Sequence, residues 1–287
     1  MIDVHAHTTI HRLWGLHVAS ATIEDLEKLA EDFGIEKIIL MATYFPFKKS
    51  GLSNNELIQR IKGKKMFAMF GSLDVMNNLK AGIKELEELC QRKIICGIKL
   101  YPGYQEFSLA DEKVFPIYKL AERFNLPVAI HSGELHYCCS KEERDGGKFR
   151  CGKECKIEKL AHLSQPLSAM SAIQKFPNVN FIMAHLGNPY FGELRQLMNQ
   201  CLNVCSDISG QFTSGTDEDY AEYREILKQE INLFLKLSNG SKRIMFGTDF
   251  PIQSYQHTFE ILNSLSLDDK TRNDICSENA KTIIPIY

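Results

Sequence analysis

Eight short runs of β-branched or apolar residues recur along this chain. They begin near residues 2, 35, 66, 94, 127, 179, 202 and 243, with helix-patterned stretches between most of them. Such runs of roughly four to eight residues read as buried strands, whereas apolar residues at three- and four-residue spacing read as one face of a helix. The predicted strands are 2–6, 35–41, 66–70, 94–100, 127–131, 179–185, 202–208 and 243–247. Helices are predicted at 52–61, 76–90, 111–124, 167–176, 193–200 and 220–237, with more in the C-terminal tail. Ahead of these, Thr22-Ile-Glu-Asp25 resembles a capping box and Gly34 a helix stop, which frame a helix carrying Leu26, Leu29, Ala30 and Phe33 on one stripe. Most strand-to-strand intervals lie close to the ~30 residues of a βαβ unit. The exception, 127 to 179, leaves room for an insertion at 134–160.

Eight strands alternating with helices predict an α/β fold, a (β/α)8 TIM barrel formed as a single domain over 1–287. A doubly wound open sheet is the competing architecture, but no Gly-rich dinucleotide fingerprint follows the first strand. Composition agrees with an ordinary globular protein: of 287 residues, 44% are hydrophobic and 24% charged, with a formal net charge of −2. That balance supplies no basic footprint for nucleic acid or an anionic membrane. No run approaches the ~18 apolar residues of a membrane span, and Met1-Ile-Asp-Val-His5 lacks the features of a signal peptide. A soluble, cytoplasmic protein acting on a small molecule is expected, and a homo-oligomer is compatible with the chain.

The polar residues fall where barrel active sites form, at the carboxyl ends of strands. Strand 1 ends Asp3-Val-His5-Ala-His7, strand 5 at His131, strand 6 at His185, and strand 8 runs into Asp249. Simple alternation would place Asp3, His5 and His7 on one face, with Asp3 deeper and able to orient an imidazole. A lone histidine of this kind is more often a satisfied core residue. Four histidines and one aspartate at four strand ends of one barrel instead match the nitrogen and carboxylate donors of a divalent metal such as Zn²⁺. Such an ion lowers the pKa of its bound water and polarises a carbonyl or phosphoryl oxygen. His185, and also Asp249, could exchange protons there.

Five motifs extend the pattern: Asp3-Val-His-Ala-His7, Gly97-Ile-Lys-Leu-Tyr-Pro-Gly103, Ile130-His-Ser-Gly133, Ala184-His-Leu-Gly-Asn-Pro189 and Phe246-Gly-Thr-Asp-Phe-Pro251. In these the chain resembles the amidohydrolase superfamily, most closely its amidohydrolase-related branch, which includes aminocarboxymuconate-semialdehyde decarboxylase-like enzymes. The resemblance implies that His5, His7, His131 and Asp249 bind the metal and that His185 is catalytic. Lys99 has two readings: a carboxylated bridge between two metals, or, as favoured here, an unmodified lysine near a single metal and able to meet a substrate carboxylate.

The insertion departs from the family pattern. It carries Cys138, Cys139, Cys151 and Cys155, four of nine cysteines. A disulfide framework is not expected in a chain of this size and class. A second, structural Zn²⁺ is one reading of the four, with His136 able to replace one of the adjacent pair, and redox-active or simply free thiols are the other. His11, His17, His162 and His257 are read as ordinary, although His11 and His162 could reach the mouth. The leading function is a metal-dependent hydrolase using a metal-activated water on an amide, lactone or ester. Non-oxidative decarboxylation of an unsaturated or aromatic carboxylic acid is the alternative enzyme reading, and a non-catalytic metal-handling or binding protein is the third.

Overall fold

The computed structural model describes residues 1–13, 16–44, 51–136, 139, 141–149, 154–211 and 220–287. Eight parallel strands run in chain order: β1 (Ile2–Ala6), β2 (Lys37–Met41), β3 (Phe67–Phe70), β4 (Ile98–Leu100), β5 (Val128–Ile130), β6 (Phe181–Met183), β7 (Val204–Asp207) and β8 (Ile244–Met245). β1 to β3 form one ladder and β4 to β8 a second. Two bridges join them, Gly71 with Ile98 and Ala6 with Phe250, so the sheet closes on itself. This is the α/β TIM barrel that the strand rhythm predicts. The strands are shorter than their apolar runs because ladder pairing ends where each chain turns out toward a loop.

The helices, in chain order, are α1 (Ile23–Phe33), α2 (Asn54–Ile61), α3 (Leu79–Gln91), α4 (Phe115–Phe124), α5 (Lys141–Asp145), α6 (Lys156–Leu160), α7 (Met170–Lys175), α8 (Phe191–Gln200), α9 (Tyr220–Leu235), α10 (Tyr255–Ser264), α11 (Asp269–Asn273) and α12 (Asn279–Ile283). Local chemistry sets several boundaries. Thr22 and Asp25 make a reciprocal capping box at α1, and left-handed Gly34 ends that helix. Ser53 and Glu56 repeat the device at α2. Short helices α5 and α6 fall inside the 134–160 segment.

Alternation sorts the apolar strand residues into two cores. Ile38, Leu40, Ile98, Val128, Ile130, Phe181 and Val204 pack outward with the helices. Ile39, Met41, Phe70, Ala129, Ile182, Cys205 and Met245 fill the barrel interior, which Ala280, Ile283 and Ile284 of the C-terminal segment seal.

β1 breaks this alternation. Asp3 lies opposite Ile38 and Ala6 opposite Leu40, so three steps on β1 match two on β2. An extra residue of this kind is a β-bulge, which re-aims side chains. Asp3 therefore does not share a face with His5. Its Oδ1 accepts from the backbone N–H groups of His5 (3.0 Å) and Thr248 (3.1 Å), and its Oδ2 from the Thr248 and Tyr255 hydroxyls, both at 2.7 Å. The expectation that Asp3 orients an imidazole is corrected accordingly: it clamps β1 to the exit of β8 and to α10. Burial pushes its pKa up to about 6, against the opposing pull of those donors.

Interior packing is tight at the start of β4, where a Cβ added to Gly97 would lie 2.4 Å from the Phe70 ring. Gly97→Ala is expected to destabilise the barrel by about 1–3 kcal/mol through overpacking, read as a lower midpoint in chemical denaturation.

Candidate active site

At the carboxyl ends of the strands lies a cavity of about 240 Å³, lined by His5, His7, Lys99, His131, His185 and Asp249 together with Tyr101, Tyr104, His136 and three threonines. Leu13, Leu16 and Ile252 add an apolar wall. All six non-cysteine residues singled out from the sequence as metal ligands, catalytic group or ambiguous lysine thus reach one cavity.

Within it, His5, His7 and Asp249 offer donor atoms that all lie within 4.8 Å of one another. Asp249 Oδ1 is 3.2 Å from His7 Nε2 and 3.6 Å from His5 Nε2. The carboxylate doubles back over β1 because Asp249 takes a left-handed conformation (φ 61°) and its N–H donates to the His5 carbonyl at 2.7 Å. Two imidazole nitrogens and a carboxylate oxygen at this spacing fit a divalent cation.

A second triplet, His5, His185 and Asp207, is equally compact. Its carboxylate is already committed. Asp207 Oδ1 accepts from the His185 N–H (3.0 Å), the Ser209 N–H (3.1 Å) and the Ser209 hydroxyl, while Oδ2 faces His5 Nδ1 at 3.1 Å. Asp207 is therefore a carboxylate behind a ligand rather than a ligand itself, the arrangement that orients metal-binding histidines. Sequence reasoning passed over it. The available signal was an acidic residue closing an apolar run on β7, the position that flagged the histidines of β5 and β6.

His131 lines the cavity but belongs to neither triplet. Its Nε2 lies 3.1 Å from the Glu134 carbonyl, which makes Nε2 the N–H donor and leaves Nδ1 with the lone pair. Its ring packs 5.1 Å from that of His185 and 4.8 Å from that of Tyr104. His185 follows β6 in a left-handed turn, with φ of 64°, 52° and 67° at His185, Leu186 and Gly187. That turn lifts its ring to 4.8 Å from His5. Lys99 is fully buried, with Nζ 3.4 Å from His5 Nε2.

Burial decides the proton distribution. It pushes His185 down to about 4 and His131 well below the ordinary imidazole range, so both rings are neutral near pH 7. Burial also lowers Lys99 to about 8, against the pull of Asp207 and Asp249. At Asp249 burial opposes ionisation, but the His7 hydrogen bond and the nearby His185 and His5 rings outweigh it. That carboxyl stays well below its usual range.

The other predicted sites are not brought together in the same way. Cys138 and Cys151 lie outside the described residues. Cys139 and Cys155 are buried, and neither joins a metal-spaced cluster among the described residues. His136 lines the cavity, its N–H donating to the Tyr104 hydroxyl at 2.7 Å. His11, His17 and His162 are exposed, and none of the three lines the cavity.

A parallel barrel with histidines and carboxylates gathered at its carboxyl-terminal mouth is the architecture of a barrel enzyme. Residues 2–286 match the amidohydrolase family model, and the chain belongs to that family of enzymes, which work with divalent metals. Solved structures share the fold at low identity. A probable 2-pyrone-4,6-dicarboxylic acid hydrolase from Acinetobacter baumannii, with citric acid bound, is 15% identical with a TM-score of 0.68, and the match covers 98% of each chain. The 2,6-dihydroxybenzoate decarboxylase from Rhizobium is 18% identical with a TM-score of 0.65, covering 98% of this chain and 97% of that one. A dihydroxybenzoic acid decarboxylase from a Polaromonas species, with bound manganese and 2-nitroresorcinol, is 16% identical with a TM-score of 0.65, covering 92% and 86%. No helix among the described residues is long and apolar enough to cross a membrane.

Gly210 leaves room beside His185 and Asp249. It is left-handed (φ 61°), and a Cβ there would lie 2.5 Å from His185 Nδ1 and 3.0 Å from Asp249 Oδ2. Gly210→Ala is expected to cost about 1–2 kcal/mol in backbone strain alone, measured by chemical denaturation, and to displace the His185 ring.

Proposed function

We propose that the chain is a metal-dependent hydrolase of a small substrate carrying an ester, lactone or amide bond. The observation that carries this reading is the convergence of His5, His7 and Asp249 donor atoms within 4.8 Å, beside a neutral His185 in the same cavity. In this reading His131 joins the ligand set through Nδ1, its Nε2 being engaged with the Glu134 carbonyl. The nitrogen-rich donor set suits Zn²⁺, with manganese, as in the Polaromonas relative, the competing ion. A divalent ion held there supplies Lewis-acid polarisation of the substrate carbonyl and a water of lowered pKa.

The remaining chemistry belongs to the chain's own side chains. His185 accepts a proton from the attacking water as the new C–O bond forms and returns it to the departing alcohol or amine as the old bond breaks. Lys99, unmodified, offers an ammonium to a substrate carboxylate. Tyr101 and Tyr104 form a wall held rigid by their own hydrogen bonds, Tyr101 donating to the Ala42 carbonyl and Tyr104 accepting from His136.

That aromatic wall also favours a second reading, decarboxylation of an unsaturated or aromatic acid. Tyr101, Tyr104 and His131 line the cavity with rings tilted 67° and 60° to their neighbours, and so offer aromatic edges and faces to an unsaturated or aromatic substrate. Decarboxylases stand among the proteins that share the fold.

One single-domain unit over 1–287 and a cytoplasmic location complete the proposal. Cys138, Cys139, Cys151 and Cys155 are proposed to hold a second, structural Zn²⁺. Elemental analysis should then give two metals per chain, falling to one when these four are replaced by serine. An unchanged count would remove the loop site and leave the catalytic one.

His5→Ala is expected to strip the catalytic metal. His185→Ala should retain it while turnover falls by about 10²–10⁴-fold. Metal content and turnover on a panel of lactones, esters, amides and aromatic carboxylic acids check both. Carbon dioxide release from the acids, with no hydrolysis of the others, would replace the first reading by the second. Loss of metal in the His185 variant would make that residue a ligand.

A further inference from the structure

A single hydroxyl proton sits among three strong partners behind the cavity. Ser209 Oγ contacts Asp207 Oδ1, and it lies 2.9 Å from His185 Nδ1 and 3.1 Å from His5 Nδ1. Ser209 and Asp207 are sealed from solvent, at 0% and 1% exposure. An ionised carboxylate only accepts, so the hydroxyl proton goes to Asp207 and the Oγ lone pairs are left as acceptors. The ring nitrogens facing Oγ must then carry the N–H. A second contact agrees for His185, whose Nδ1 also lies 3.2 Å from the Ser209 carbonyl, another group that only accepts. For His5 the direct 3.1 Å contact with Asp207 Oδ2 makes the same demand.

We infer that Ser209 is a positioning residue that passes the influence of Asp207 on to His185, so that one buried carboxylate fixes the Nδ1–H tautomer of two imidazoles. Each neutral ring then presents its Nε2 lone pair. That of His5 lies beside His7 and Asp249, and that of His185 is the one that takes the substrate-side proton. The second assignment rests on the hydrolase reading above, whereas the tautomers themselves do not. The same carboxylate also fixes the backbone, since Asp207 Oδ1 accepts the N–H of both His185 and Ser209.

Nitrogen-15 spectra of the histidine-labelled full chain, at neutral pH with and without added Zn²⁺, read each ring's tautomer. The His185 signals are identified by their loss in His185→Gln. The native protein is expected to show one pyrrole-type and one pyridine-type nitrogen for His185, well separated. In Ser209→Ala and Ser209→Cys the separation should narrow as tautomers begin to mix, without vanishing, because the Ser209 carbonyl at 3.2 Å stays as one acceptor for the His185 Nδ1–H. His5 Nδ1 should remain pyrrole-type there, because Asp207 still holds it, and zinc affinity should stay near the native value. Asp207→Asn should disturb both rings and weaken zinc binding by about 10–100-fold.

Ser209→Cys keeps the site filled, with a somewhat larger sulfur in place of oxygen, while weakening the hydrogen bond. A native pattern in the Cys variant alongside a disturbed one in the Ala variant would make the role one of packing and overturn the inference. So would a native His185 protonated at Nε2, or native separation in both variants. A fixed tautomer in a protein that turns over nothing on the substrate panel would sink the proposed hydrolase and leave the role of Ser209 standing.

Discussion

A carboxylate taken out of water must collect hydrogen-bond donors or surrender its charge. Asp207, 1% exposed, collects four: two backbone N–H groups, one hydroxyl and one imidazole. Burial opposes its ionisation, and the facing His5 ring with its hydrogen bond outweighs that, holding the carboxyl well below its usual range. The partners that satisfy this charge come from β1, the turn after β6 and the chain just beyond β7. The solution to one electrostatic problem therefore sets the relative positions of three segments at the mouth. His185 would otherwise sit in an unsupported left-handed turn, and His5 would be free to rotate away from His7 and Asp249.

Asp3 poses the same problem on the other side of β1 and solves it with different groups, drawing on Thr248 and Tyr255. The bulge between Asp3 and Ala6 is what lets the two carboxylates act on opposite faces of one strand. Without the extra residue, strict alternation would turn either Asp3 or His5 the wrong way. Glycines at 210 and 247 supply room for the result: a Cβ at Gly247 would stand 3.1 Å from that of His5.

Much of this was legible in the sequence, and the failures have identifiable causes. The barrel followed from the spacing of apolar runs, and the start of α1 from the capping box at Thr22, because these signals are local. The residues of the cavity followed from their place at strand ends, which the topology alone brings together. Asp3 was misplaced because a bulge leaves no mark in a hydrophobic pattern. Asp207 was missed because a lone aspartate on a strand looks like any other buried polar residue until its partners, which lie 2, 22 and 202 positions away, are known. Ser209 was invisible for the same reason.

The closure of the barrel has a consequence for how the protein comes to exist. His5 is synthesised long before Asp249 and the Ala6–Phe250 bridge, and Ile283 and Ile284 seal the interior later still. Until then β1 has no β8 to pair with and the His5–His7–Asp249 group does not exist. A nascent chain on the ribosome therefore carries two isolated imidazoles, and the assembled cation site is a property of the completed molecule alone. Capture of a divalent ion there would act as a latch on the finished barrel, stabilising the closed form at the expense of every partly built one.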